Sequence, residues 1–261
     1  MRMGKIALIT GGTSGIGLAA AQLLRADGYE VALMGRSAER GREALRTLAK
    51  GAVYLQGDVS KLSDCRRIVQ ETVKAFGGLD LLVNAAGIYA EGAIDSVSEQ
   101  ELSLLLDVNV KGTYFMCQQA VPELRMRQGS AIVNVSSDAG VHGNYFCTAY
   151  CAAKGAVTMF TRALALELSD KGTGGRTSGG QTVYPVRVNC VCPGDILTPM
   201  TERQLAGAPS REAALEEMAA VYPMGRIGTA QEAAEVIVFL ASGKASFVTG
   251  AVWGVDGGIT A

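Results

Sequence analysis

The sequence predicts an α/β fold: a doubly wound, seven-stranded parallel sheet with helices on both faces. Apolar runs recur at 5–10, 30–34, 52–56, 79–84, 130–136, 186–191 and 251–255, each continuous rather than alternating. Helical patterns fill the gaps at 15–27, 38–50, 61–76, 98–127, 149–169 and 229–242. Continuous apolar strands between helices belong to a parallel sheet buried on both faces, joined by right-handed crossovers. Finally, 261 residues with 48% hydrophobic content suit a single domain, spanning 1–261, with a sizeable core.

Composition removes several functions. The net charge is −1, with 24 basic residues set against 25 acidic ones and no basic run, so nucleic acid is not an expected partner. No apolar stretch reaches about 18 residues, so no membrane span is expected. The N-terminus runs straight into the first strand, so no signal peptide is expected. Cys65, Cys117, Cys147, Cys151, Cys190 and Cys192 sit singly in apolar segments, without C-x-x-C spacing, and the chain holds one histidine. This reads as reduced, buried thiols in a cytoplasmic protein without a metal site.

Ligands bind such sheets outside the carboxyl ends of the strands, so the residues after each strand carry the functional reading. The first strand runs into Thr10-Gly11-Gly12-Thr13-Ser14-Gly15-Ile16-Gly17, which opens a helix. Strand, glycine turn and helix N-terminus form the layout of a dinucleotide-phosphate site. The spacing is Gly11-x-x-x-Gly15-x-Gly17 rather than G-x-G-x-x-G.

The second strand ends at Gly35-Arg36-Ser37, with no acid to bind a ribose 2′-hydroxyl. Arg36 suits a 2′-phosphate, or is a solvated arginine. This favours NADP(H), with NAD(H) as the alternative. After the third strand, Asp58-Val59 offers a carboxylate either to an adenine amino group or to the next helix. After the fourth, Asn84-Ala85-Ala86-Gly87 lets a flat ligand or a backbone come close. The fifth ends at Ser136-Ser137, and Tyr150 and Lys154 follow at i and i+4 on one helical face. A lysine ammonium beside a phenol is expected to lower its pKa and make Tyr150 a proton donor and acceptor. His142, in the loop between, reads as a satisfied loop histidine or a substrate contact.

On these residues the chain resembles the short-chain dehydrogenase/reductase family, Tyr-x-x-x-Lys type. The glycine turn, Asp58-Val59, Asn84-Ala85-Ala86-Gly87, Asn109 in Val108-Asn109-Val110-x-Gly112, Ser137, and Tyr150-x-x-x-Lys154 all match. So do Val186-Arg187-Val188-Asn189, Pro193-Gly194-x-Ile196-x-Thr198, Pro223-Met224-Gly225-Arg226, Phe239-Leu240-Ala241-Ser242 and Val255-Asp256-Gly257-Gly258. The resemblance implies a Rossmann-like fold and oxidation of a secondary alcohol to a ketone with a nicotinamide cofactor.

It further implies that Tyr150 exchanges a proton with the substrate oxygen and that Ser137 hydrogen-bonds that oxygen. Lys154 binds the nicotinamide ribose, and Asn109 holds a relay water. Pro193, Gly194, Ile196 and Thr198 contact the nicotinamide side. The resemblance also implies a homotetramer acting on a small-molecule substrate. A 3-oxoacyl carrier-protein reductase is the alternative, which would want a basic patch at the entrance; Arg125 and Arg127 are the candidates. A non-catalytic cofactor-sensing protein is the alternative of another class, and it has no need of a catalytic tetrad of Asn109, Ser137, Tyr150 and Lys154.

Two segments stand apart. Residues 195–228 read as an amphipathic, mobile lid over the substrate, with Met200, Leu205, Leu215, Met218 and Val221 on its apolar face. The Gly/Ser/Thr-rich insertion 172–182 reads as a flexible loop on the edge opposite the cofactor.

Overall fold

The computed structural model describes residues 4–48, 50–173, 177–178 and 181–261. Seven parallel strands form its sheet: β1 Ile6–Thr10, β2 Glu30–Gly35, β3 Ala52–Gln56, β4 Leu81–Asn84, β5 Ala131–Val135, β6 Arg187–Pro193 and β7 Val252–Val255. Their spatial order is β7-β6-β5-β4-β1-β2-β3, the doubly wound arrangement. Each strand serves two cores, because successive side chains point to opposite faces. Ile6 and Leu8 join Ala32, Met34, Leu82 and Ile132 on one face. Ala7 and Ile9 join Val31, Leu33, Val83 and Val133 on the other. This two-sided burial is why the strands read as unbroken apolar runs.

The larger helices are α1 Gly15–Ala26, α2 Ala38–Leu48, α3 Leu62–Phe76, α4 Glu99–Leu106, α5 Gly112–Leu124, α6 Thr148–Glu167, α7 Pro199–Leu205, α8 Arg211–Ala220 and α9 Ala230–Ala241. One expectation is corrected here. The pattern over 98–127 reads as one helix, but a π-helical turn, Asp107–Lys111, separates α4 from α5. Such a turn is built from the same residue types as the helices it joins, so composition does not reveal it.

The segment 195–228 folds into α7 and α8, joined by Arg211 to Glu202 hydrogen bonds of 3.1 and 2.6 Å. No residue of α8 is fully buried, and of the expected apolar face only Leu205 is. In the insertion, Thr177–Ser178 pairs antiparallel with Gln181–Thr182. The expected loop at 174–176 and 179–180 lies outside the described residues. The chain re-enters the sheet at Arg187, opposite Ala131 at the amino end of β5. Among the described residues, no helix is long and apolar enough to cross a membrane.

Candidate active site

Close backbone approach builds the phosphate end. Gly11 has φ +63°, and a Cβ there would stand 2.8 Å from Ala85 O and Ala86 N. A Cβ on Gly17 would stand 2.5 Å from Gly11 O, so α1 seats directly on the turn. Ala86 N–H donates to Thr10 Oγ1 at 3.2 Å, tying the 85–87 loop to the end of β1. Ser14 is the N-cap of α1, yet its side chain makes no capping hydrogen bond, and the first turn holds no acid. Ser98, Thr198, Ser210 and Thr229 all cap their helices by side chain. The amino end of α1 thus keeps its N–H groups and its positive field for an anion, as a pyrophosphate requires. Ile16 packs partly buried against the core below.

At the adenosine end, Arg36 is exposed, and Ser37 Oγ accepts from Arg40 N at 3.3 Å at the head of α2. The absence of a side chain at Gly35 does not leave open room: a Cβ there would lie 2.9 Å from Thr13 Cγ2. Asp58 closes its own turn, accepting from Ser60 N at 3.0 Å and Ser60 Oγ at 2.8 Å. Val59 is buried under α5, and a Cβ on Gly112 would stand 2.7 Å from its Cγ2. Asn84 is buried in a polar chain, donating to Asn134 Oδ1 at 2.9 Å, and Asn134 donates in turn to Thr161. It ties β4 to β5 and α6.

Two of the catalytic candidates, Asn109 and Lys154, meet beside Gly87. A Cβ on Gly87 would stand 2.8 Å from Asn109 Oδ1 and 3.6 Å from Lys154 Nζ. The π-helical turn swings Asn109 inward, where its amide clasps Ile88: Oδ1 accepts from N at 3.2 Å and Nδ2 donates to O at 2.9 Å. Both ends of the amide are therefore engaged. Lys154 is buried, donates to Val135 O at 3.0 Å, and lies 5.7 Å from the Tyr150 ring centre. Tyr150 is buried against Tyr89, whose ring meets it edge-on at 5.0 Å. Ser137 Oγ donates to Asp138 Oδ1 at 2.6 Å. Asn144 donates to Asp138 Oδ2 at 3.3 Å and bonds His142 Nδ1 at 2.9 Å, so His142 is partnered within its loop.

The expected lowering of the Tyr150 pKa is not what this structure holds. Burial pushes the Tyr150 phenol up, with Asp138, Cys147 and Asp195 adding to it, while a Ser137 hydrogen bond opposes. Burial also pushes Lys154 down, to about 8. Desolvation disfavours the charged form of each.

On the nicotinamide side, Pro193 pairs with Val255 at the end of β6. A Cβ on Gly194 would meet Tyr222 Cε1 at 2.8 Å, and Ile196 is buried. Thr198 Oγ1 accepts from Met200 N at 3.3 Å at the head of α7. Its Cγ2 would lie 3.3 Å from a Cβ on Gly15, so this segment closes over the glycine turn. The residues present fit a dinucleotide: an uncapped helix end, small residues along the strand ends, and Lys154 and Tyr150 at the far end.

Sequence reasoning missed Tyr89, Glu91, Asp138, Asp195 and Tyr222. Asp138 directly follows Ser137, Asp195 fills the open position of Pro193-Gly194-x-Ile196, and Tyr89 and Glu91 follow the Asn84–Gly87 stretch. Open positions beside matched motifs were the available signal. Arg125 and Arg127 do not reach the entrance. Arg127 donates to Gly77 O at 2.6 Å and Arg125 O accepts from Tyr184 N, both near the amino ends of the strands.

Comparison with known proteins agrees with this geometry. A family model described as Enoyl-(Acyl carrier protein) reductase matches residues 11–260. The chain is 38% identical over 261 residues to an uncharacterized oxidoreductase of Thermotoga maritima, covering 99% of this chain and 98% of that one. It is 39% identical over 256 residues to the L-fucose dehydrogenase of Oryctolagus cuniculus, covering 98% and 84%. The solved structure of ElxO with NADP bound superposes with a TM-score of 0.87 at 30% identity, covering 99% of each chain. On this match across the whole chain, it belongs to the short-chain dehydrogenase/reductase family, an oxidoreductase that transfers hydride with a nicotinamide cofactor.

Proposed function

We propose that Tyr150 is the general acid and base of a reversible oxidation of a secondary alcohol to a ketone, with NADP(H) as the preferred cofactor. The observation that carries this is a chain of neighbours: Asn109 and Lys154 flank Gly87, Lys154 lies beside the Tyr150 ring, and Ser137 hydrogen-bonds Tyr150. Bound, the nicotinamide accepts or supplies the hydride. Tyr150 takes the alcohol proton as the carbonyl forms and returns it in reduction. Ser137 steadies the charge on the substrate oxygen by turning to it the hydroxyl proton that it otherwise gives to Asp138. Lys154, anchored on Val135 O, orients the cofactor ribose. Asn109 holds Gly87 and Ile88 in place, and its carbonyl, which accepts from Thr113 at 2.8 Å, keeps a second lone pair for a relay water.

The uncapped amino end of α1 takes the pyrophosphate, and Arg36 with Ser37 takes the 2′-phosphate. The named relative and the NADP-bound neighbour support this reading. The carrier-protein alternative loses the two arginines expected to serve it, because Arg125 and Arg127 lie at the opposite edge. The thin attachment of α8 supports a covering segment at 195–228 that opens for substrate. Buried free thiols support a reducing, cytoplasmic setting.

Tyr150→Phe tests the assignment. Turnover should fall by about 10²–10⁴-fold while cofactor affinity holds, because only the proton donor is removed. A variant within tenfold of wild type would overturn it.

A further inference from the structure

Tyr150 is buried at the head of α6, and an aromatic ring from another element lies against it. Tyr89, half-buried in the loop after β4, meets the Tyr150 ring edge-on, with centroids 5.0 Å apart and planes at 71°. Tyr89 and Ile88 pack against a cluster that holds Tyr150, Cys147 and Ala139. The far end of Tyr89 is tied down. Its hydroxyl donates to Glu91 Oε2 at 2.9 Å and lies 3.3 Å from Cys147 Sγ. A phenol has one proton and an ionised carboxylate only accepts, so the Cys147 thiol is the donor to the Tyr89 oxygen. Burial pushes the Cys147 thiol and the Tyr89 phenol up, which keeps both protons in place. The chain from Cys147 through Tyr89 to Glu91 therefore has one direction. Cys147 is the N-cap residue of α6, the helix that carries Tyr150.

The same loop is held on either side of Tyr89. The Asn109 amide clasps Ile88 through both its ends. Gly92 N donates to Phe146 O at 2.7 Å. Phe146 has φ +56°, a left-handed conformation that no other described non-glycine residue adopts. That strain sits where the chain turns to present its carbonyl to Gly92 and, one residue on, the Cys147 thiol to Tyr89.

We propose that Tyr89 is a positioning residue for the reaction: its ring fixes the Tyr150 side chain, and the bonds to Cys147 and Glu91 fix the ring. This deepens the reading of Tyr150 as general acid and base and rests on it. The Tyr150 phenol turns about two side-chain torsions, and proton exchange needs its oxygen within hydrogen-bond reach of the substrate. A misplacement of about 1 Å costs roughly 100-fold in rate. An edge-on contact restricts both torsions while engaging the ring rather than the hydroxyl.

The test uses the purified full chain with whichever of NADP⁺ and NAD⁺ it uses better, read at the nicotinamide absorbance band. The probe is whichever of 2-butanol, cyclohexanol, 1-phenylethanol and sorbitol the wild type oxidises fastest. Tyr89→Leu should lower kcat about 10- to 100-fold, with KM for the alcohol and Kd for the cofactor changed less than about threefold. Tyr89→Phe keeps the ring and loses its anchor, so it should recover much of that rate yet stay about 3- to 10-fold below wild type. Cys147→Ala should also lower kcat, but should cost nothing further in the Tyr89→Phe background, because the link it removes is already gone.

A kcat for Tyr89→Leu within about threefold of wild type would overturn the proposal. So would a raised KM with kcat held, which would make Tyr89 a wall of the substrate site. A loss of rate matched by losses of cofactor affinity and melting temperature would mark a structural role and overturn it too. Should Tyr89→Leu fail to fold, Tyr89→Phe and its double variant decide, and additive losses count against the proposal. Tyr150→Phe separates this inference from the reading beneath it. If that variant is inactive while the Tyr89 variants are unimpaired, the positioning role alone falls. If Tyr150→Phe keeps its turnover, or the wild type oxidises none of the probes, the underlying reading falls with it.

Discussion

Arg36 is exposed at the end of β2 and makes no ion pair with another described residue, so its guanidinium is available to a 2′-phosphate. A hydrogen bond to a charged group contributes about 1.5–3 kcal/mol, roughly 10- to 150-fold. Arg36→Ala should therefore cut kcat/KM with NADP⁺ by about that factor and leave NAD⁺ nearly unaffected; a wild type that already prefers NAD⁺ would sink the assignment. Arg36 is a better probe than Gly35→Asp, because a side chain at 35 must first displace Thr13. The second residue-scale expectation concerns Lys154, whose burial lowers its pKa from 10.5 to about 8. Between those values the unfolded chain binds the proton more readily than the folded one, so stability rises with pH across that window. Below pH 8 the buried ammonium is a full penalty. Lys154→Met should be inactive yet melt higher at pH 7, by about 2–4 °C for each kcal/mol relieved. The advantage over wild type should shrink as pH rises from 8 toward 10.5; differential scanning fluorimetry at both ends of the window measures it, and an unchanged or lower melting point at pH 7 would contradict it.

The π-helical turn between α4 and α5 is the element that brings Asn109 to Gly87, and the fit there is tight. A Cβ at Gly87 would lie 2.8 Å from Asn109 Oδ1, which cannot yield without breaking its paired bonds to Ile88. Gly87→Ala should lower kcat about tenfold or more while the pyrophosphate end keeps its affinity; cofactor titration beside steady-state rates separates the two, and an unaltered kcat would show that Asn109 has slack. The contrast between strands and this turn explains what was legible in the sequence. β1 and β2 are read easily because every residue of Ile6–Ile9 and Val31–Met34 is buried on one face or the other. The motif residues are legible because the chemistry constrains their type and spacing. The π-helical turn leaves helical composition intact, so nothing in the pattern over 98–127 marks it. Asp138 and Asp195 escape for another reason: they occupy positions beside the matched motifs that are open to any residue. The fall of the Tyr150 and Lys154 charges into low dielectric is likewise a property of depth, which spacing along a helix does not report.

At the scale of the whole molecule, two of the apolar surfaces left uncovered among the described residues lie in different places. On the α5–α6 side, Tyr114 is 49% exposed, Met159 60% and Leu166 75%, with Tyr114 and Phe160 rings 5.2 Å apart. This accounts for the nearly all-round apolar character of α6: one face covers the sheet, while Met159 and Leu166 face outward. At the edge of the sheet, β7 pairs only with β6, and Trp253 is 41% exposed and Phe247 fully so, with Phe239 stacked edge-on to Trp253 at 5.5 Å. An unpaired edge strand beside exposed aromatics is a liability in a monomer. Each surface can meet its own copy across a two-fold axis, and two such isologous contacts generate a closed tetramer rather than an open chain. The expected state is therefore a homotetramer, a dimer of dimers. Leu166→Glu buries a charge in one contact and should leave dimers held through β7. Trp253→Glu should leave dimers held through α5 and α6, and the double variant should be monomeric. Light scattering at micromolar concentration distinguishes these masses. A monomeric wild type would refute the assembly, and a tetramer that survives both substitutions would show that these surfaces are covered some other way.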